Sequence, residues 1–355
     1  MHREVHGGNI YGRDIQLDFS VNINPLGMPQ GARRAITEQV AGDETYPDIF
    51  CTDLRRVIAQ KEGIMPEQIL CGNGASELLM ALVRAAAPDR CAIAAPSFSG
   101  YERAVCAAGA KPLFYELSPN TGFGYENVCN QLSTMSVEML FLCNPNNPTG
   151  NIIPEHILME ILQYCAYKKI WVVVDECFLR FHPLYEKISC KRFLGQYPNL
   201  IIVNAFTKFY AMAGVRLGYL MMDNPSFMQT VAQQLPEWNV SSIAQRTGIA
   251  ALQDTAYEKQ TRQLIEMERA YLIRELAQMD CTVFPSEADY ITFCLPRTKA
   301  GFPLKDRLIE KKILIRSCAN YRNMPPDCYR IAVKRHTENE ELVRVLRAEL
   351  SDESV

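Results

Sequence analysis

Asn199-Leu200-Ile201-Ile202-Val203, running on through Asn204-Ala205-Phe206-Thr207-Lys208-Phe209-Tyr210-Ala211-Met212-Ala213-Gly214-Val215-Arg216-Leu217-Gly218, is the stretch on which the fold turns. Its first part is an unbroken apolar run of strand length, as expected of a strand buried on both faces. Lys208, just past that run, would then point out of the carboxyl end of a sheet. Arg216 follows among glycines and can bind an anion. A lone lysine after a strand is by default a surface charge, so what distinguishes Lys208 is its company elsewhere in the chain.

Similar apolar runs recur on the N-terminal side: Cys91–Ala95, Pro112–Glu116, Met139–Cys143 and Ile170–Val174, with Gly218–Met222 beyond the lysine. Helical patterns lie between some of them, at 77–87 and where Ile157, Leu158, Ile161, Leu162 and Cys165 share one face. Apolar strands alternating with helices predict an α/β fold with a mainly parallel sheet, seven-stranded, covered on both faces. Ligands then collect at the carboxyl ends of the strands. The pattern changes near Trp238. A long helix is expected at about 257–279, strands at Tyr290–Cys294, Ile313–Arg316 and Tyr329–Val333, and a last helix at 338–350 capped by Thr337 and Glu340. The expected division is an N-terminal arm (1–40) contributing to the small domain and the site, a large domain (41–240) and a small α+β domain (241–355).

Bulk properties narrow the function. A chain of 355 residues exceeds the usual size of a single core. A net charge of -3 gives no footprint for nucleic acid, and no apolar run reaches the length of a membrane span. The polar N-terminus lacks the apolar core of a signal peptide, and a cytoplasmic protein is expected. Thirteen scattered cysteines without a Cys-x-x-Cys pair suggest reduced thiols rather than a disulfide framework. Five dispersed histidines show no ligand spacing, so no metal is expected.

Four sites suit one cofactor. Gly72-Asn73-Gly74-Ala75-Ser76-Glu77 precedes a helix, whose first N–H groups can bind a phosphate. Cys143-Asn144-Pro145-Asn146-Asn147-Pro148-Thr149-Gly150 is a proline-stiffened loop that can hold an amide at fixed geometry. Asp175 closes an apolar strand, and a carboxylate there needs a cationic or hydrogen-bonded partner, which a protonated pyridine nitrogen supplies. Lys208 and Arg216 complete the set with an amine for a Schiff base and a guanidinium for a phosphate.

With these motifs in this order, the sequence resembles the fold-type I pyridoxal-phosphate enzymes, the aminotransferases and their relatives, almost end to end. The resemblance implies that Lys208 carries pyridoxal 5'-phosphate, that Asp175 pairs with its ring nitrogen, and that Asn147 bonds its 3-hydroxyl. It implies that Gly74, Ala75, Ser76 and Arg216 cradle the phosphate, that Phe98 stacks on the ring, and that Tyr46 reaches the partner subunit's phosphate in a homodimer. Two positions depart from the common aminotransferase pattern. Phe178 stands where a tyrosine is usual, and Ala205 replaces a serine whose hydroxyl Thr207 can supply. His6-Gly7-Gly8-Asn9, Asp18–Gly27 and Ile313–Tyr321 resemble the threonine-phosphate decarboxylases of cobalamin biosynthesis, which share the phenylalanine. The histidinol-phosphate aminotransferases are their neighbours and the alternative. By that resemblance His6, Gly7, Asn22, Asn147, Arg316 and Arg330 contact a small phosphorylated amino acid. Its carboxylate and phosphate suit two arginines on adjacent segments.

Overall fold

The protein is described by a computed structural model covering residues 6–40 and 44–351. After a short strand, β1 (Leu17–Asp18), seven strands build the main sheet: β2 (Ile69–Gly72), β3 (Arg90–Ala95), β4 (Lys111–Glu116), β5 (Met139–Cys143), β6 (Trp171–Asp175), β7 (Leu200–Ala205) and β8 (Gly218–Met222). Their order is β2-β8-β7-β6-β5-β3-β4. The pairs joining β4, β3, β5, β6 and β7 are parallel, and β8 runs antiparallel to both β7 and β2. The mainly parallel seven-stranded sheet expected from the apolar runs is therefore present. The strand missing from that expectation is β2, only four residues long and ending in Gly72 of the glycine loop.

The central strands are largely apolar because both faces are covered. Val172, Val174 and Ile202 pack on one face with Ile157, Leu158, Ile161 and Leu162 of the helix Glu155–Lys168. Val173, Ile201 and Val203 pack on the other with Leu78, Leu79 and Leu82 of the helix Ala75–Ala86. The direction of winding across the sheet reverses between the parallel neighbours β3 and β5. From β3 the chain steps outward to β4, and from β5 it steps the other way through β6 to β7. The carboxyl ends flanking such a switch point form a crevice.

A second set of strands follows: β9 (Thr282–Val283), β10 (Tyr290–Cys294), β11 (Ile313–Leu314), β12 (Arg316–Ser317) and β13 (Cys328–Ala332). Four of them form an antiparallel sheet in the order β12-β13-β10-β9, while β1 pairs in parallel with β11. The N-terminal segment is thus tied to the C-terminal strands. Three expectations need correction. The run 313–316 is two strands, since β11 turns to β1 and β12 turns to β13. The last helix starts at His336, so Thr337 lies inside it and does not cap it; Glu338 accepts the N–H of Arg335 at 3.3 Å and Asn339 that of Lys334 at 3.1 Å. Cys294 and Cys328 face each other across β10 and β13 and are bonded as a disulfide, a pairing invisible before the register is known.

One buried charge cluster fixes the segment after β6. Glu62, at the end of the helix Thr52–Glu62, accepts hydrogen bonds from Arg180, from Tyr219 (2.5 Å), and from Tyr185 and Lys191 (both 2.9 Å). Burial would raise its carboxyl, but Arg180 and Lys191, with the Tyr219 hydroxyl, hold it down at about 2. A depressed carboxylate contributes stability that is complete above its ordinary 4.5 and lost as pH falls through about 2. Glu62→Gln is expected to cost about 3–5 kcal/mol in urea unfolding at pH 7, because Arg180 loses its buried counter-charge. The gap between variant and wild type should narrow on acidification through that window.

Candidate active site

The carboxyl ends of β5, β6 and β7 are in register: Cys143 lies opposite Asp175, and Asp175 opposite Val203. The loops leaving these ends therefore meet. They line a cavity of about 190 Å³ whose wall includes Ala75, Ser76, Phe98, Asn147, Asp175, Phe178, Thr207, Lys208 and Arg216. Nine separately expected cofactor residues thus share one space.

At one end is an anion cradle. Gly74 caps the helix Ala75–Ala86 at φ +80°, and no side chain bonds the helix's first N–H groups at that cap. A Cβ at Gly74 would lie 2.6 Å from the Arg216 guanidinium, so glycine is needed both for the left-handed turn and for the arginine's approach. Gly218 allows a second close approach, since a Cβ there would meet the Ala75 nitrogen at 2.7 Å. Free N–H groups at a helix start, beside a guanidinium, fit a phosphate.

At the other end is a buried acid. Asp175 Oδ1 accepts the N–H of Cys177 at 3.0 Å, and Oδ2 accepts the Tyr101 hydroxyl at 2.7 Å. Tyr101 is fully buried, stacked on Phe141 and edge-on to Phe98. Burial, and then the adjacent Asp175, push its phenol well above the ordinary range, so it stays a neutral donor. Both oxygens thus accept from neutral donors, an arrangement suited to a protonated ring nitrogen. Lys208 lies between the two ends, its ammonium 5.7 Å over the Phe178 ring. Burial lowers its proton affinity and Asp289 opposes that, while Arg330 and Arg216 add to the lowering. Phosphate cradle, acid and amine together fit pyridoxal 5'-phosphate.

A second group of residues borders this cavity. Arg330 on β13 donates to Asn147 and to the Ser20 carbonyl (2.9 Å), and its guanidinium lies 5.4 Å from the Tyr290 ring centre. Arg316 on β12 is its direct register partner and donates to Asn320 at 2.6 Å. Both arginines are buried. His6 lies 5.7 Å from the Phe98 ring; burial, then Arg316, Arg103, Lys208 and Arg330, keep its imidazole below its ordinary value. Gly7 packs so tightly on the Ser20 carbonyl that a Cβ would overlap it at 2.1 Å. Asn22 is buried, with its Oδ1 lacking a partner among the described residues. Tyr46 does not line the cavity of its own chain; it is exposed, with its ring tilted against that of Trp238 and the ring centres 4.6 Å apart.

Sequence reading missed Tyr101 and Asp289. Tyr101 sits three residues after Phe98 on the buried face of the helix Ser99–Ala107, a spacing that could have drawn notice. Asp289 directly precedes the apolar β10, as Asp175 closes β6. No group of three His, Cys, Asp or Glu side chains among the described residues could hold a metal ion, and no described helix is long and apolar enough to cross a membrane.

Known proteins resemble this chain over almost its whole length. Residues 14–347 match the family described as aminotransferase class I and II. The chain is 34% identical over 352 residues to the threonine-phosphate decarboxylase of Salmonella typhimurium, covering 97% of this chain and 96% of that one. It is 31% identical to an adenosylcobalamin biosynthesis bifunctional protein of Leptospira interrogans, covering 97% of this chain and 41% of that longer protein. Among solved structures, the histidinol-phosphate aminotransferase of Sinorhizobium meliloti in complex with pyridoxal-5'-phosphate superposes with a TM-score of 0.86 at 22% identity, over 96% of this chain and 92% of that one.

Two substitutions probe the two ends of the cavity. Gly74→Ala should weaken cofactor binding at least about tenfold (about 1.4 kcal/mol), read by fluorescence titration of the cofactor-free protein; unchanged affinity would remove Gly74 from the cradle. Tyr101→Phe leaves a buried carboxylate oxygen without its donor and should lower stability by about 1–3 kcal/mol in urea.

Proposed function

The chain belongs to the aminotransferase class I and II family, and on that premise we propose that it decarboxylates L-threonine O-3-phosphate to (R)-1-aminopropan-2-yl phosphate and CO2 in cobalamin biosynthesis. The observation that carries this reading is the pair of buried arginines, Arg316 and Arg330, directly opposite each other on β12 and β13 beside the Lys208 cavity. Like charges facing each other across a strand pair repel. A substrate with two anionic groups, one for each guanidinium, relieves that repulsion. Phosphothreonine carries a phosphate and a carboxylate.

The cofactor is pyridoxal 5'-phosphate. Bound, it supplies the aldehyde that takes the substrate amine and the electron sink that accepts the pair left when the C–C bond breaks. Gly74, Ala75, Ser76, Thr207 and Arg216 hold its phosphate, Asp175 its ring nitrogen, Asn147 its ring hydroxyl and Phe98 one ring face. Phe178 offers that hydroxyl no hydrogen bond, which differs from the tyrosine usual in transaminases. The two arginines, with His6, Gly7, Asn22 and Asn147, orient the substrate. Asn147 serves both sets, since Arg330 donates to its side chain. Lys208, once released from the cofactor, delivers a proton to the α-carbon. The partner subunit's site receives Tyr46, whose exposed ring is free of its own cavity, in a cytosolic homodimer.

Transamination of histidinol phosphate is the alternative, since histidinol-phosphate aminotransferases and a threonine-phosphate decarboxylase share this fold. Incubating the purified protein with O-phosphothreonine should release one CO2 per substrate consumed. No CO2, together with turnover of histidinol phosphate and 2-oxoglutarate, overturns the proposal. Lys208→Ala should abolish CO2 release. Arg330→Met should lower kcat/KM at least about 100-fold, near 2.7 kcal/mol of transition-state stabilisation.

A further inference from the structure

Replacing a carboxylate by hydrogen at the α-carbon consumes one proton per turnover. The C–C bond breaks, CO2 leaves, and the electron pair ends in a new C–H bond whose proton comes from Lys208 Nζ. A half-buried lysine is a poor place to keep that proton. Its surroundings disfavour the ammonium by burial and by the neighbouring Arg330 and Arg216. Something must oppose them.

The side chain of Asp289 has no other evident role. It is 0% exposed, yet neither carboxylate oxygen has a hydrogen-bond partner among the described residues. A buried charge of that kind is costly unless an opposite charge faces it. Its backbone is fixed on both sides: the Asp289 carbonyl accepts the N–H of Val333 at 2.7 Å, and the preceding Ala288 carbonyl accepts Arg269 at 3.0 Å. The next residue, Tyr290, packs edge-on to Phe178 at 5.0 Å, the same ring that lies beneath the Lys208 ammonium.

We infer that Asp289 is a positioning residue for Lys208, whose carboxylate is the counter-charge that keeps the lysine an ammonium once its amine is set free. This rests on the reading of Lys208 as the proton donor. The charges around the pair fit the role. Burial pushes the Asp289 carboxyl up to about 7, against the pull of Lys208, its own main-chain N–H, Arg330 and Arg269. Lys208 is the charge that acts on it most, and Asp289 is the charge that acts most on Lys208. Around them stand Arg330 on β13, Arg269 on the long helix Thr255–Ala277, Arg216 and Cys177 beside Lys208, and the Tyr290 phenol. When the lysine amine is bound to the cofactor, the carboxyl can hold a proton of its own. When the amine is freed, carboxylate and ammonium form together, and a solvent proton restores the carboxyl after delivery to carbon.

The test is the pH dependence of Lys208 labelling by an amine-selective acylating reagent in the cofactor-free protein, read by peptide mass spectrometry. In Asp289→Asn the labelling midpoint should move down by about one pH unit or more, since losing the negative neighbour favours the free amine. In the loaded enzyme the alkaline limb of kcat should move down with it, while KM stays within about twofold. Coincident labelling midpoints overturn the inference. The reciprocal variant guards against a folding defect: Lys208→Met should show a protonated-carboxyl infrared band at neutral pH that is absent from the Lys208→Met, Asp289→Asn double variant, and its absence from both overturns the inference equally. Labelling needs no substrate, so its failure condemns the role of Asp289 alone, whereas failure to release CO2 condemns the decarboxylase reading.

Discussion

Everything at the site depends on the parallel register of β5, β6 and β7. Because Cys143, Asp175 and Val203 lie side by side, three loops widely separated in sequence leave the sheet at one level. A shift of one residue in any of these strands would turn its side chains to the opposite face and its loop out of line. The register is held by apolar packing on both faces, which has nothing to do with catalysis. The chemistry inherits its precision from the core.

The charges are arranged as strictly as the strands. Lys208, Arg216, Arg316 and Arg330 gather positive charge around a small volume, which disfavours the charged form of His6, and two buried carboxylates, Asp175 and Asp289, stand against it. Asp175 has both oxygens occupied by neutral donors, Tyr101 and the Cys177 N–H. Asp289 has no such donors. In a medium of low polarity, a carboxylate without hydrogen-bond donors follows its neighbours, and Asp289 suits a charge that changes as a neighbour changes.

Much of this was legible in the sequence because parallel strands are short, apolar and bounded by turn residues. The motifs at their ends, from Gly74 to Lys208, could be placed before any contact was known. What stayed hidden depends on register between distant segments. Arg316 and Arg330 could be read as neighbours, but not as direct partners across β12 and β13. The break at Ile315 was invisible because one apolar run serves two sheets. The Cys294–Cys328 bond needed the same pairing. Tyr101 and Asp289 were hidden for another reason: each acts on a functional residue rather than on a ligand, and neither sits in a glycine- or proline-marked loop.

The two sheets meet at the loop that carries Asn147, and the meeting is rigid. Tyr290 and Thr292 of β10 donate to the carbonyls of Asn146 (2.7 Å) and Pro148 (2.5 Å), and the Glu287 N–H donates to the Gly150 carbonyl at 2.8 Å. Gly150 is left-handed at φ +82°, and a Cβ there would overlap the Ser286 hydroxyl at 2.2 Å. Arg330 adds a further tie by donating to Asn147 itself. The groups proposed to grip the substrate are therefore fixed relative to those proposed to grip the cofactor. Which bond at the α-carbon stands perpendicular to the cofactor ring decides between losing CO2 and losing a proton, and small displacements change that choice. A joint stitched by four hydrogen bonds and a glycine contact is how a fold shared with transaminases can hold one bond in that position.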